Sequence, residues 1–68
     1  MKVDIIERLI TRQNERIVSV QQAIQHNKEA GIYGDKNKIA DYQAKQIMLE
    51  EELNLLKTLK SDILVGPQ

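Results

Sequence analysis

The sequence predicts an all-α protein in which two long helices form an antiparallel helical hairpin. Three observations predict this fold. Apolar residues recur every three or four positions in two long segments, a glycine-containing stretch separates the segments, and the aromatic residues are two tyrosines without Phe or Trp. We expect one domain, with a helix at about 4–30, a connector at 31–34, a helix at about 35–64 and a short tail at 65–68.

The first helix is predicted by a seven-residue repeat over residues 3–27. Its apolar positions are all β-branched: Val3, Ile6, Ile10, Ile17, Val20 and Ile24. Spacings of three and four place these residues on one helical face, which Gln13 and Asn27 interrupt. Asp4, followed by Glu7, is expected to cap the amino end of the helix.

The stretch "KEAGIYGDKNK", residues 28–38, predicts the connector. Gly31 can take the left-handed conformation that closes a helix, which would place Ile32 against the last turn. Gly34 allows a second unusual backbone angle, and Asp35 can cap the next helix. So short a connector requires the two helices to run antiparallel.

The second helix carries a seam of apolar residues: Ile39, Tyr42, Leu49, Leu53, Leu56 and Ile63, interrupted by Gln46 and Lys60. A second strip, Met48, Leu55 and Leu59, runs beside it. So wide an apolar surface predicts more than one neighbouring helix. Gly66 and Pro67 are expected to end the helix.

Self-association is expected because a 68-residue chain buries only about 60% of its unfolded surface and has no cysteine for disulfides. We predict a homodimeric four-helix bundle or a higher oligomer with coiled-coil-like packing, whose core combines the seams of both helices. The strip Met48, Leu55 and Leu59 is either the contact with a subunit or partner, or part of the bundle core. Gln13, Asn27 and Gln46 within the seams predict control of register, or alternatively a polar pocket.

A stripe of arginines on the first helix has two possible interpretations. Arg8, Arg12 and Arg16 are four residues apart, so they lie along one side of the first helix. Arg12 and Arg16 are expected level with Glu50–Glu52, which favours ion pairs between the helices. The alternative is that the stripe binds phosphate or RNA. The formal net charge of zero does not favour a general attraction to nucleic acid or to membranes.

The connector also admits a binding interpretation. The spacing Gly31–Gly34, followed by Lys36 and Lys38, resembles the GxxG loops that hold nucleic-acid backbones, although those folds also need strands. Tyr33 could stack on a base. The simpler interpretation is a plain connector, since glycine and aspartate already have turn and cap roles there.

Enzymatic and metal chemistry is not predicted. His26 is the single histidine, and with Glu29 it would supply two metal ligands, too few for a closed site. No serine or threonine has an evident base beside it, so we expect no catalytic residues and no cofactor. No signal peptide or membrane span is evident, so the sequence favours a cytoplasmic protein without membrane association.

The two matched helices resemble the general class of small helical-hairpin dimers, some of which are RNA-binding regulators. We therefore expect a non-enzymatic interaction protein that self-associates and binds a partner macromolecule, most simply another protein. Small neutral chains of this kind are common among accessory proteins of phages and plasmids. Two alternatives stay open: an oligomer that binds a small anionic ligand such as a nucleotide, and a Rop-like RNA-binding dimer.

Overall fold

The computed structural model describes residues 2–66, with side chains from Val3 onward. Helix α1 spans Lys2–Glu29, a single 3-10 turn spans Gly31–Tyr33, and helix α2 spans Lys36–Val65. The two helices pack against each other, and no strand occurs within residues 2–66, so the predicted all-α hairpin is confirmed. Pro67 and the end of the expected tail lie outside the described residues.

The sequence predicted the end of α2 correctly but not the start of α1. The expectation that Asp4 caps α1 is wrong, because the helix already begins at Lys2 and Asp4 lies in its first turn. A carboxylate there still interacts favourably with the helix dipole. At the other end α2 stops at Gly66 as expected: Gly66 has a φ of 88°, and its N–H donates to the Asp62 carbonyl oxygen at 3.1 Å.

The connector uses its two glycines for different reasons. Gly31 has a φ of 61°, which confirms the left-handed closure of α1. Gly34 has an ordinary extended conformation, with φ −76° and ψ 150°, so the expected second unusual angle is wrong. A Cβ at Gly34 would instead overlap the carbonyl oxygen of Asn27. Ile32 does not fold back on the helix, since it is 92% exposed.

Side-chain hydrogen bonds stabilise the first turn of α2. Asp35 Oδ1 accepts from the N–H groups of Asn37 at 2.9 Å and Lys38 at 3.2 Å, which confirms the predicted cap. Asn27 Oδ1 accepts from the Asp35 N–H at 3.4 Å, while Asn27 Nδ2 donates to the Ala23 carbonyl oxygen at 2.9 Å. The last turn of α1 is therefore hydrogen-bonded to Asp35, the residue that caps α2.

The interior is one seam between α1 and α2. Its buried apolar side chains are Ile6, Ile17, Val20, Ile24, Leu49 and Leu53, and half-buried around them lie Val3, Ile10, Ile39, Tyr42, Leu56 and Ile63. The residues expected at the core of an oligomer thus meet within a single chain. Even Leu49, at 3%, keeps some exposure, because two helices cannot surround a side chain completely.

Two helices alone make an extended molecule. The Cα atoms span 55 × 17 × 10 Å with a radius of gyration of 15.8 Å, against about 11 Å for a compact domain of this length. The solvent-accessible surface is 5516 Å², whereas a compact chain of this mass exposes about 4,400 Å². A single hairpin therefore leaves both broad faces uncovered.

Candidate interaction surface

One broad face of the hairpin carries an apolar groove between the two helices, which we call the leucine groove. Its lining comes from one edge of each helix: Leu9, Arg12, Gln13, Arg16, Glu52, Leu55, Leu56 and Leu59. The groove has a volume of about 670 Å³ and is open to solvent. It lies directly above the seam, because Gln13 and Leu56 belong to both.

Three leucines of this groove are exposed to solvent. Leu55 is 70% exposed, Leu59 48% and Leu9 41%. Met48, 54% exposed, extends the strip one turn beyond Glu52, so apolar side chains follow the same edge of α2 for about three turns. The predicted contact residues Met48, Leu55 and Leu59 therefore do not fill the core of the single hairpin, and all three are accessible to another chain.

Charges border the leucine groove on both sides. Arg12 and Arg16 lie on its α1 side, and Glu52 lies on its α2 side. The expected ion pairs between these arginines and Glu50–Glu52 are not formed: within residues 3–66, none of the three carboxylates comes within 4.0 Å of either guanidinium. Successive helical residues point about 100° apart, so only Glu52 faces the groove. Glu50 instead accepts a hydrogen bond from Gln46 Nε2 at 3.1 Å.

The opposite face of the hairpin carries an ion pair between the two helices. Glu7 lies about 200° around α1 from Leu9, and its Oε1 is 3.3 Å from Lys60 Nζ of α2. This ion pair joins the start of α1 to the end of α2, and it was not predicted from sequence. The two broad faces therefore differ in character, with exposed leucines on one and an interhelical ion pair on the other.

The three polar residues of the seams have separate roles. Gln13 is buried, at 5% exposure, and its Nε2 donates to the Leu49 carbonyl oxygen across the interface. Asn27 connects α1 to the α2 cap, as described above. Gln46 bonds within α2 and does not reach α1. They do not converge on a common polar pocket.

The arginine stripe lines depressions of different charge. Arg8 lines a shallow depression on α1 together with Arg12, Thr11 and three carboxylates, those of Asp4, Glu7 and Glu15. The acidic groups outnumber the basic ones there, which disfavours an anionic ligand. Arg12 and Arg16 also line the leucine groove and, with Lys45 and Glu15, a further depression of about 430 Å³ in which basic side chains outnumber acidic ones.

The connector lies far from that stripe. Tyr33 is 89% exposed and Lys36 and Lys38 are exposed, about 20 Å or more along α1 from Arg16. The Asn37 and Lys38 N–H groups at the start of α2 already bind the Asp35 carboxylate. A phosphate would therefore meet an occupied helix end, although the side chains of Tyr33, Lys36 and Lys38 remain accessible.

Other kinds of site are not evident in the described part of the chain. His26 and Glu29 are both exposed, and no three His, Asp or Glu side chains within residues 2–66 are grouped so that they could hold a metal ion. Neither described helix combines the length and apolar character that crossing a membrane requires. Comparison with protein-family models, with curated proteins and with solved structures found no match to this chain.

Proposed function

We propose that this chain is a non-enzymatic interaction protein that self-associates through the leucine groove. Two hairpins then form a four-helix bundle, and the outer surfaces of that bundle bind a partner macromolecule. The observation that carries the proposal is the row of exposed leucines, Leu9, Leu55 and Leu59, above an already formed core. Covering such side chains stabilises an assembly by roughly 25 cal/mol per Å² of apolar surface.

The extended shape of the single hairpin supports the same proposal. Its accessible surface exceeds that of a compact chain of equal mass by an amount comparable to the ~800 Å² that each partner buries in a standard interface. The non-enzymatic part rests on composition, since a chain with one histidine and no cysteine has few groups for acid–base or nucleophilic chemistry.

A pair of matched variants tests self-association. Leu55→Glu places a charge in the leucine groove, whereas Ile47→Glu places the same charge on the outer side of α2, where Ile47 is 60% exposed. Sedimentation equilibrium should show a dimer for the wild type and for Ile47→Glu, and a helical monomer for Leu55→Glu. A wild-type chain that stays monomeric and fully helical at every concentration would refute the proposal.

A second candidate function is the oligomeric binding of a small anionic ligand such as a nucleotide. It is supported by Arg12 and Arg16, whose guanidinium groups border the groove without an ion pair to Glu50–Glu52. Nucleoside triphosphates should then raise the melting temperature of the wild type but not that of Arg12→Gln. An equal shift in both proteins, or none in either, counts against this candidate.

A further inference from the structure

The leucine groove has a charge pattern that depends on the helix. Its α1 side carries positive charge from Arg12 and Arg16, and its α2 side carries negative charge from Glu52. Because Gln13 contacts Leu49 and Glu7 contacts Lys60, Glu52 lies level with Arg12, and Arg16 lies one turn nearer the connector. Because the arginines do not form ion pairs with Glu52 in the single chain, these charges are available to a second molecule.

Symmetry limits how two such grooves can meet face to face. A two-fold axis parallel to the helices lays α1 of one chain on α2 of the other and keeps every residue at its own level. A two-fold axis across the helices lays α1 on α1 and α2 on α2. Closed two-fold dimers are the commonest soluble oligomers, so these two arrangements are the relevant alternatives.

Charge distinguishes the two arrangements. With the axis parallel to the helices, the arginine side of each groove faces the Glu52 side of the other. With the axis across the helices and the grooves superposed, Arg12 and Arg16 of the two chains face each other, and so do the two Glu52 side chains. Like charges brought together in an interface oppose association, so the first arrangement is favoured.

We propose that a second copy of this chain docks on the leucine groove with the two α1 helices parallel. Each α1 lies on α2 of the partner, so that Arg12 faces Glu52 of the partner subunit and Leu9 faces Leu55 of the partner subunit. This inference rests on the self-association proposed above. It specifies the orientation of the two hairpins, which the apolar contacts alone leave open.

The dimensions of the hairpin fit this arrangement. The broad face measures 55 by 17 Å between Cα atoms, which matches in scale the ~800 Å² per partner of a standard interface. The leucines supply most of the affinity. The ion pairs at the edges add little affinity but select the orientation, as charges at the rim of an interface generally do.

Charge reversal tests the orientation. Arg12→Glu alone and Glu52→Arg alone each place like charges across the two-fold interface, so each homodimer should weaken about tenfold or more. The double variant with Arg12→Glu and Glu52→Arg in one chain restores opposite charges between the two chains when α1 lies on α2 of the partner, so sedimentation equilibrium should show that its homodimer recovers. With α1 on α1, like charges face each other in the wild type and in all three variants, so no variant would weaken relative to the wild type.

Controls separate the possible outcomes. Arg8→Glu and Glu51→Arg make the same charge changes away from the groove and should leave dimerisation unchanged. If the Arg12→Glu and Glu52→Arg chains dimerise as the wild type does, or if the double variant recovers nothing, the proposed orientation is wrong while self-association stands. If the wild type itself does not dimerise, the proposed function fails first. Circular dichroism of each variant checks that the hairpin is still folded.

Discussion

Gln13 Nε2 donates a hydrogen bond to the backbone carbonyl oxygen of Leu49 at 2.9 Å, in the middle of the seam between α1 and α2. The two residues are 36 positions apart, so this bond fixes which turn of α2 lies opposite which turn of α1. A sliding of the helices would leave the amide buried without its acceptor, at a cost of about 1–3 kcal/mol. The structure therefore favours register control as the role of Gln13.

Two substitutions of Gln13 should distinguish a role in setting the register of the helices from a role in stabilising the fold. Gln13→Met keeps the volume and leaves the Leu49 carbonyl with its bond inside α2, so unfolding in urea should change by less than about 1 kcal/mol. Gln13→Ala also removes packing and should cost about 2 kcal/mol or more. In the methionine variant, amide NMR spectra should show more than one register. A single register with a loss above about 2 kcal/mol would instead make the bond a stability element.

The seam itself was predictable because helical periodicity depends only on backbone geometry. Spacings of three and four identified the buried Ile17 and Leu49, and they also separated the exposed Leu55 from them. The partner of Gln13 was not predictable, since it depends on the offset between the helices to within one turn. A short connector restricts that offset only approximately.

Asp35 offers a test of the helix start at the connector. Its carboxylate satisfies two N–H groups at the first turn of α2, so Asp35→Ala should lower the free energy of unfolding by about 1 kcal/mol. Asp35→Ser should retain most of the stability, because serine also caps helices well. Guanidinium denaturation followed by helical circular dichroism measures both. Equal losses in both variants would show that the charge matters more than the cap.

The two connector glycines should respond differently to alanine. Gly34→Ala brings a Cβ into the Asn27 carbonyl oxygen and should cost about 2–3 kcal/mol through displacement of the connector. Gly31→Ala meets no atom within 4 Å, and it should cost about 1 kcal/mol because of its φ of 61°. Thermal unfolding compares them, and a chemically synthesised chain with D-Ala at position 31 should lose nothing. The reverse order of stability would contradict this assignment.

The sequence-based predictions were wrong at positions whose conformation or partner depends on tertiary contacts. Glycine spacing suggested an unusual angle at Gly34, but the requirement there is the close approach of Asn27, which periodicity does not reveal. The predicted ion pairs between Arg16 and Glu50–Glu52 assumed that residues at the same height along the two helices contact each other. Around a helix, direction matters as well as level, and two of the three glutamates point elsewhere.

Replacement of Tyr33, Lys36 and Lys38 together by serine tests the connector as a binding loop. All three side chains are exposed, and the Asp35 cap uses the backbone of Lys38, so the melting temperature should stay nearly unchanged. Because Asp35 already occupies the helix end, we expect single-stranded RNA to bind the wild type and the triple variant equally weakly, with affinity falling steeply as salt rises. Fluorescence anisotropy at several salt concentrations measures this.

The matched control removes the same charge elsewhere. Lys45→Ser with Lys57→Ser deletes two exposed lysines of α2 that lie outside the connector. If RNA binds the wild type tightly and binding is lost in the triple variant but kept in this control, the connector is a nucleic-acid site and the argument from the occupied helix end is wrong. If binding falls equally in both variants, the interaction is general electrostatic attraction, which depends on total charge and not on Tyr33.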